Sequence, residues 1–174
     1  MRARALIVGI LAVALVAGAA LYWLQVYAFY REVGPEAGPV LLVSQGTGAP
    51  EALAVEGLRA IDADSSPIRY RACFTTPTPL VDLVARYAPY PDAQPLYAPG
   101  WFDCFDAEAV GEALEAGSAR AFLSVPDLRY GIDRVVAILP DGRGVAWQQI
   151  NACGAVVFDG EPAPEGCPPV PEGF

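Results

Sequence analysis

The sequence predicts an α+β fold: a single N-terminal transmembrane helix, then one small domain with a mostly antiparallel sheet and two or more helices. Residues Ala5 to Leu24 are an unbroken run of twenty uncharged, almost wholly apolar residues. As a helix such a run is about 30 Å long, the thickness of a bilayer's hydrocarbon core. Beyond it, short apolar runs separated by Pro, Gly and Asp turns alternate with two stretches of helical period, in the order β, β, β, α, α, β, β, β. The strongest turn, Pro140-Asp141-Gly142, joins neighbouring strands as a hairpin and so makes the sheet antiparallel. The chain divides into an anchor with an aromatic exit belt over residues 1–30, a linker over 31–38, a domain over 39–158 and a Pro/Gly-rich tail over 159–174.

The apolar segment has two readings. As an anchor, Arg2 and Arg4 keep its start in the cytoplasm, and Tyr22, Trp23, Tyr27, Phe29 and Tyr30 settle at the far interface. As a cleaved signal, Leu6 to Val16 is the apolar region and Ala17-Gly18-Ala19 the small-residue cleavage site. The anchor is the expectation, because Leu21 to Tyr30 continues the apolar character past that site with bulky aromatics. Either way the domain crosses the membrane; as an anchor, the chain is a single-pass inner-membrane protein with its C-terminal domain in the periplasm. Ala14-x-x-x-Gly18 lets two such helices approach closely, though small residues are common in any apolar run.

Each later element has its own local cause. Val40 to Ser44 reads as a strand and Gln45 to Pro50 as a turn. Glu51 to Asp62 is divided: Pro50 suits a helix start, whereas Leu53 and Val55 alternate as in a strand. Ile68 to Phe74 alternates as a strand, and a hairpin with the preceding run is favoured. Thr78 is expected to cap a helix with Pro79 at its first position and Leu80, Leu83, Val84 and Tyr87 as its apolar stripe. Ala88 to Gly100 carries four prolines and is a loop. A second helix starts near Asp103 or Asp106, with Ala109, Val110, Ala113, Leu114 and Gly117 inward and Glu108, Glu112 and Glu115 outward.

Arg120 to Val125 is a strand, and Ile132 to Leu139 pairs with Gly144 to Asn151. The first of that pair is apolar on both faces, as a covered central strand is. A three-residue loop sets Leu139 against Arg143 and Asp133 against Gln149; a four-residue loop sets Arg134 against Gln149.

Composition excludes whole classes of chemistry. The chain contains no His and no Lys; its eleven cations are all Arg. Imidazole acid–base catalysis, His-ligated metals, Schiff bases and the lysine phosphate loop are therefore absent. From Arg31 onward nine Arg face twenty Asp and Glu, a net charge of −11. That balance disfavours nucleic acid and anionic lipid headgroups as partners. No cofactor or metal is expected; Asp62-x-Asp64-Ser65-Ser66 has oxygen ligands but reads better as a turn.

Four cysteines and no Cys-x-x-Cys indicate disulfides in an exported domain. Three pairings are open from the sequence. Cys73–Cys104 and Cys153–Cys167 are preferred: the first joins a strand end to a helix start amid aromatics, and the second ties down the tail.

Candidate site residues fall in two places. Trp101-Phe102-Asp103-Cys104-Phe105-Asp106 offers aromatics and two carboxylates, either as an acid pair in a cleft or as a helix cap beside a core disulfide, Asp103 being the expected cap. Tyr130, Asp133, Arg134, Trp147 and Gln149 put polar groups on otherwise apolar strands. A binding rim of Trp101, Tyr130, Arg134, Trp147 and Gln149 is expected, since exposed aromatics with Arg are enriched in binding hot spots. The leading function is a non-enzymatic, partner-binding envelope or assembly accessory factor, docked to the inner membrane and another envelope protein. The alternative is a hydrolase of cell-wall glycan using Asp103, Asp106 or Asp133 as acid and base.

The blocks Ile61 to Phe74, Trp101 to Asp106, Tyr130 to Arg134 and Ile150 to Gly154 resemble an alphaproteobacterial family of membrane-anchored proteins of unknown function. The resemblance spans most of the chain and implies no activity, ligand or catalytic residue. Members sometimes carry a histidine kinase label. A chain without His, and without a nucleotide-binding glycine motif, lacks that chemistry.

Overall fold

The computed structural model describes residues 2–34 and 38–173. Residues 35–37 of the expected linker and residue 174 of the expected tail lie outside the described residues. Helix α1, Arg2–Trp23, runs into a π-helical turn, Leu24–Ala28. The stretch Ala3–Ala28 is long and apolar enough to cross a membrane, and none of its apolar window is buried against the rest of the chain.

The domain is α+β, as expected. Its strands are β1 (Arg31–Val33), β2 (Leu41–Val43), β3 (Pro50–Ala52), β4 (Glu56–Asp62), β5 (Arg71–Thr75), β6 (Arg120–Arg129), β7 (Ile132–Ile138) and β8 (Arg143–Ile150). Helices α2 (Leu80–Arg86) and α3 (Ala107–Glu115) lie between β5 and β6, and α4 (Ala152–Val157) follows β8. Six strands form one sheet in the order β1-β4-β5-β8-β7-β6, every pair antiparallel. β2 and β3 form a separate antiparallel pair.

Both faces of the large sheet are covered. Ala60, Ala72, Ala146, Val136 and Phe122 run across it in register and face a core completed by Leu42, Leu53, Leu83 and Tyr87. Alanines in three of those five positions let the β2–β3 layer come close. The opposite face carries Ile61, Cys73, Val135, Val145 and Trp147, covered by Phe102 and Phe105 of the segment between the proline loop and α3 and by Val110 of α3. Trp147, Phe122, Leu42 and Leu83 are fully buried. Each such side chain contributes roughly 1.5–3 kcal/mol by leaving water.

The β7–β8 hairpin adopts the three-residue-loop alternative. The Leu139 amide bonds the Arg143 carbonyl at 2.8 Å, and Asp133 lies opposite Gln149. Gly142 has φ +83°, the left-handed conformation the loop requires. β7 is paired on both sides and covered on both faces, although β5 and β8 hold the middle of the sheet. The pairing of β4 with β5 is the favoured hairpin.

Several elements differ from expectation. Arg31–Val33 is not linker but the edge strand β1, because its amides pair with Asp62 to Ala60, a partner distant in sequence. Pro50 begins strand β3 instead of a helix; on an edge strand its missing N–H costs no ladder bond. Thr78 does not cap α2. Pro79 holds the cap position, and Thr76 supplies the hydroxyl, accepting from the Thr78 amide at 3.2 Å and donating to the Ala54 carbonyl at 2.8 Å. On α3, Ala107 is buried where Ala109 was expected inward, because the helix begins at Asp106. α4 was not foreseen.

The cysteines pair as preferred. Cys73–Cys104 joins β5 to the loop before α3, with Cα atoms 6.1 Å apart. Cys153–Cys167 joins α4 to the tail at 5.8 Å. The end of the N-terminal helix is also fastened to the domain. Trp101 Nε1 donates to the Val26 carbonyl at 2.7 Å, and Arg69 Nη1 to the Gln25 carbonyl at 3.4 Å. Between them sits Tyr30, edge-on to Trp101 and beneath the Arg69 guanidinium.

Candidate functional site

Strand ends on the side of the sheet nearest the N-terminal helix hold the polar residues. β7 starts there with Asp133 and Arg134, and β8 ends there with Gln148 and Gln149. The two strands pair in register, so these four groups form neighbouring rows. Asp133 is buried and its carboxylate is filled. Oδ2 accepts from the Tyr90 hydroxyl at 3.0 Å. Oδ1 accepts from the Asp127 amide and from Asn151 Nδ2, both at 2.9 Å.

Gln149 is equally engaged. Its Oε1 accepts from the Gln94 amide at 2.9 Å and from Trp147 Nε1 at 3.0 Å, while Nε2 donates to the Asp92 carbonyl at 3.2 Å. Its role is to hold the proline loop against the sheet. Asp133 and Gln149 line an open cleft of about 600 Å³ between that loop and α4, together with Tyr90, Asp92, Asn151 and Ala155.

Burial raises the Tyr90 pKa, and the charge of Asp133 and the hydrogen bond to it raise it further. Tyr90 therefore keeps its proton and serves as a donor. Asp92, the other carboxylate of the cleft, is exposed, and its φ of +56° is the left-handed conformation. Asp127 shares that conformation at φ +43°. It sits where β6 slips register against β7, and its Oδ1 accepts from the Gly131 amide at 3.1 Å and Asn151 Nδ2 at 3.2 Å. Those bonds hold a backbone geometry that Asp tolerates better than most residues.

Arg134 lies with its guanidinium 4.0 Å above the Tyr70 ring. The Gln148 amide is oriented by its neighbours: its oxygen accepts from Arg134 Nη2 at 3.0 Å and its nitrogen donates to the Pro67 carbonyl at 2.6 Å. Arg134 Nε is buried without a partner among the described residues. Burial raises the Tyr70 pKa against the opposing effect of Arg134.

The expected rim does not assemble. Trp147 is wholly buried, edge-on to Phe105, because its position on β8 faces the covered side of the sheet. Trp101 is spent on the Val26 carbonyl of the π-helical turn. Tyr130 lies at the β6–β7 turn, where its hydroxyl donates to the Pro168 carbonyl at 3.3 Å. Tyr130 and Arg134 remain at the end of the sheet nearest the N-terminal helix, in adjoining clefts.

Nor do the candidate acids converge. Asp103 is not the helix cap: it is exposed and paired with Arg59 at 3.2 Å. Asp106 caps α3, accepting from the Ala109 amide at 3.0 Å. Neither lines the cleft that holds Asp133. Asp64 pairs with Arg31 through both oxygens at 2.6 and 2.8 Å, and Asp62 accepts from the Ala63 amide. The described residues contain no group of three side chains placed to hold a metal.

Sequence reasoning missed Arg71. It is buried, donates to the carbonyls of Leu96, Ile68, Tyr70 and Tyr97, and stacks on Phe105. Burial lowers its pKa to about 10. An Arg on an otherwise apolar strand, Arg71-Ala72-Cys73-Phe74, was the available signal. Tyr90 and Asn151, the partners of Asp133, lie in segments read as loop and strand end.

Residues 40–168 match the model of a family of unknown function (DUF6446), and the chain belongs to that family. No curated protein matches the chain, and no solved structure does.

Proposed function

We propose that this DUF6446 protein is a non-enzymatic, single-pass inner-membrane protein of an alphaproteobacterium. Its periplasmic domain is a partner-binding accessory factor of the envelope. The observation that carries this reading is the commitment of the three candidate acids to structure. Asp103 holds Arg59, Asp106 caps α3, and Asp133 accepts from three donors. A glycosidase needs two carboxylates facing one cleft, roughly 5–10 Å apart, with at least one able to give up a proton to the leaving group. In the large cleft Asp133 is filled by its donors and Asp92 lies exposed at the rim; the amide, protonated phenol and backbone groups beside them suit recognition of another protein's polar surface.

Retention of α1 is supported by the bulky apolar and aromatic residues from Leu21 to Tyr30, which continue past the small-residue cleavage site where a signal peptide ends. The test is photo-crosslinking of the full chain in native membranes, with the crosslinker at Ala155 in the cleft or at Gly46 in the β2–β3 turn. A discrete protein adduct from Ala155 and none from Gly46 is expected. A purified domain that hydrolyses cell-wall glycan, and loses that activity in Asp133→Asn at unchanged stability, overturns the binder and installs the hydrolase.

A further inference from the structure

Two clefts open side by side at the end of the sheet from which the anchor leaves. One, of about 270 Å³, is polar and is walled by Asp62, Asp64, Arg129 and Arg134. The other, of about 400 Å³, is apolar and is walled by Ile68, Ile132, Ile150 and Phe158. Ser66, Pro67 and Arg129 belong to both walls. A charged chamber and an apolar chamber joined at a single arginine match the junction of a lipid headgroup with its acyl chain.

Depth agrees with that match. The twenty residues from Ala5 to Leu24 fill about 30 Å of hydrocarbon, so Gln25 and Val26 lie at its edge. Arg69 donates to the Gln25 carbonyl, and its neighbour Ile68 lines the apolar cleft. The paired clefts therefore sit at headgroup level beside the anchor. Ile150 and Phe158 are 42% and 40% exposed there, an apolar surface with bilayer as its nearest neighbour.

Charge selects the headgroup. The four ion pairs among the described residues use Arg31, Arg59, Arg86 and Arg143, which leaves Arg129 and Arg134 without a carboxylate. Arg129, on the shared wall, is placed for a phosphate. Asp62, which spends one oxygen on the Ala63 amide, faces the same chamber and suits an ammonium. The carboxylates, and the net −11 of the chain from Arg31 onward, oppose an anionic lipid. A primary ammonium donates hydrogen bonds to a carboxylate, whereas a quaternary one seeks an aromatic cage.

We propose that the two clefts together bind one phosphatidylethanolamine-type lipid of the surrounding leaflet: phosphate on Arg129, ammonium on Asp62, one acyl chain along Ile150 and Phe158. The inference rests on α1 being a retained anchor. The test uses the full chain reconstituted into nanodiscs of equal parts phosphatidylethanolamine, phosphatidylcholine and phosphatidylglycerol. Native mass spectrometry after detergent release then identifies the lipid kept. Phosphatidylethanolamine is expected at least tenfold over the other two. Arg129→Glu and Ile150→Asp should each cut retention about tenfold at unchanged thermal midpoint, while Arg143→Glu, at the far turn, should not.

Equal retention of the three lipids, preference for phosphatidylglycerol, or an Arg129→Glu chain that retains lipid like the parent overturns the proposal while the anchor stands. Recovery from cells of a membrane-free chain beginning near Ala20 overturns the anchor and the proposal with it.

Discussion

Asp103 and Asp106 are three residues apart and chemically alike, yet they do different work. Asp106 satisfies an orphan amide of α3, whereas Asp103 makes an exposed pair with Arg59. Asp106→Ala should therefore cost about 1 kcal/mol and Asp103→Ala at most a few tenths, measured by urea unfolding; equal losses would mean that the helix starts elsewhere. Gly131 and Gly154 press backbone on backbone at the start of α4. A Cβ on Gly154 would collide with the Gly131 carbonyl oxygen, and Gly131 itself has φ +73°. Gly154→Ala should lower stability by about 2 kcal/mol, with enhanced amide exchange confined first to α4; an unchanged midpoint would count against the contact. Tyr70 and Tyr90 hold their protons above the ordinary 10.0. From pH 10 upward the unfolded chain sheds phenolic protons that the folded chain keeps, so stability falls as pH rises. Arg71, lowered to about 10 from 12.5, acts in the opposite sense over that window, since the unfolded chain then keeps the proton. One guanidinium against two phenols leaves a net fall. Tyr90→Phe should make that fall shallower in urea titrations between pH 9 and about pH 11; a steeper fall would reverse the assignment.

The β7–β8 hairpin is the part of the domain most firmly written into the sequence and, by burial, the part expected to open last. Val135, Val136, Ala137 and Ile138 are completely buried. Replacing Val136 by Ala should cost roughly 1–3 kcal/mol for lost transfer and the cavity left behind. Its amides should exchange only on global unfolding; fast exchange there would make β7 a frayed edge. This hairpin was legible because one local signal, Pro140-Asp141-Gly142, marks turn and pairing together and narrows the register to two alternatives, of which the three-residue loop is the one adopted. β1 and β3 were not legible in that way. Each has only three residues; β3 follows a legible turn but opens on a proline that also suits a helix start, and β1 exists because Asp62 to Ala60 lies beside it in space. α4 has six residues, with a glycine and two valines, a composition that opposes helix until Asn151 caps it through the Gly154 amide. The same limit governs the site. Binary patterning marks polar residues on strands without saying which are enclosed, so Trp147 and Gln149 read as rim and proved to be interior, while Arg71 passed unnoticed.

At the scale of the whole molecule the decisive feature is that the domain does not hang from its N-terminal helix on a flexible tether. Arg31 follows the π-helical turn almost at once and enters the sheet beside Asp62, clamped by Asp64 from the other side. Trp101 reaches from the proline loop to the Val26 carbonyl, and Tyr30 fills the space between Trp101 and Arg69. These bonds fix which end of the sheet faces the point where the helix ends, and so decide which clefts lie beside it. They also predict how the chain yields to protease. Tryptic cleavage after Arg31 requires β1 and the Trp101 contact to open together, a local event with a free energy below that of global unfolding. Trp101→Ala removes, at the junction, the hydrogen bond to Val26 and the aromatic contact with Tyr30, worth about 1–2 kcal/mol together. Cleavage at Arg31 in the full chain should then accelerate about tenfold, the factor that corresponds to 1.4 kcal/mol, while the unfolding midpoint of the domain moves little. Trp147→Ala, which empties the covered face of the sheet, should do the reverse: it should lower the unfolding free energy by about 3 kcal/mol or more, and admit protease throughout the domain. If Trp101→Ala leaves the rate at Arg31 unchanged, the junction is open in solution and the domain swings free of the helix that precedes it.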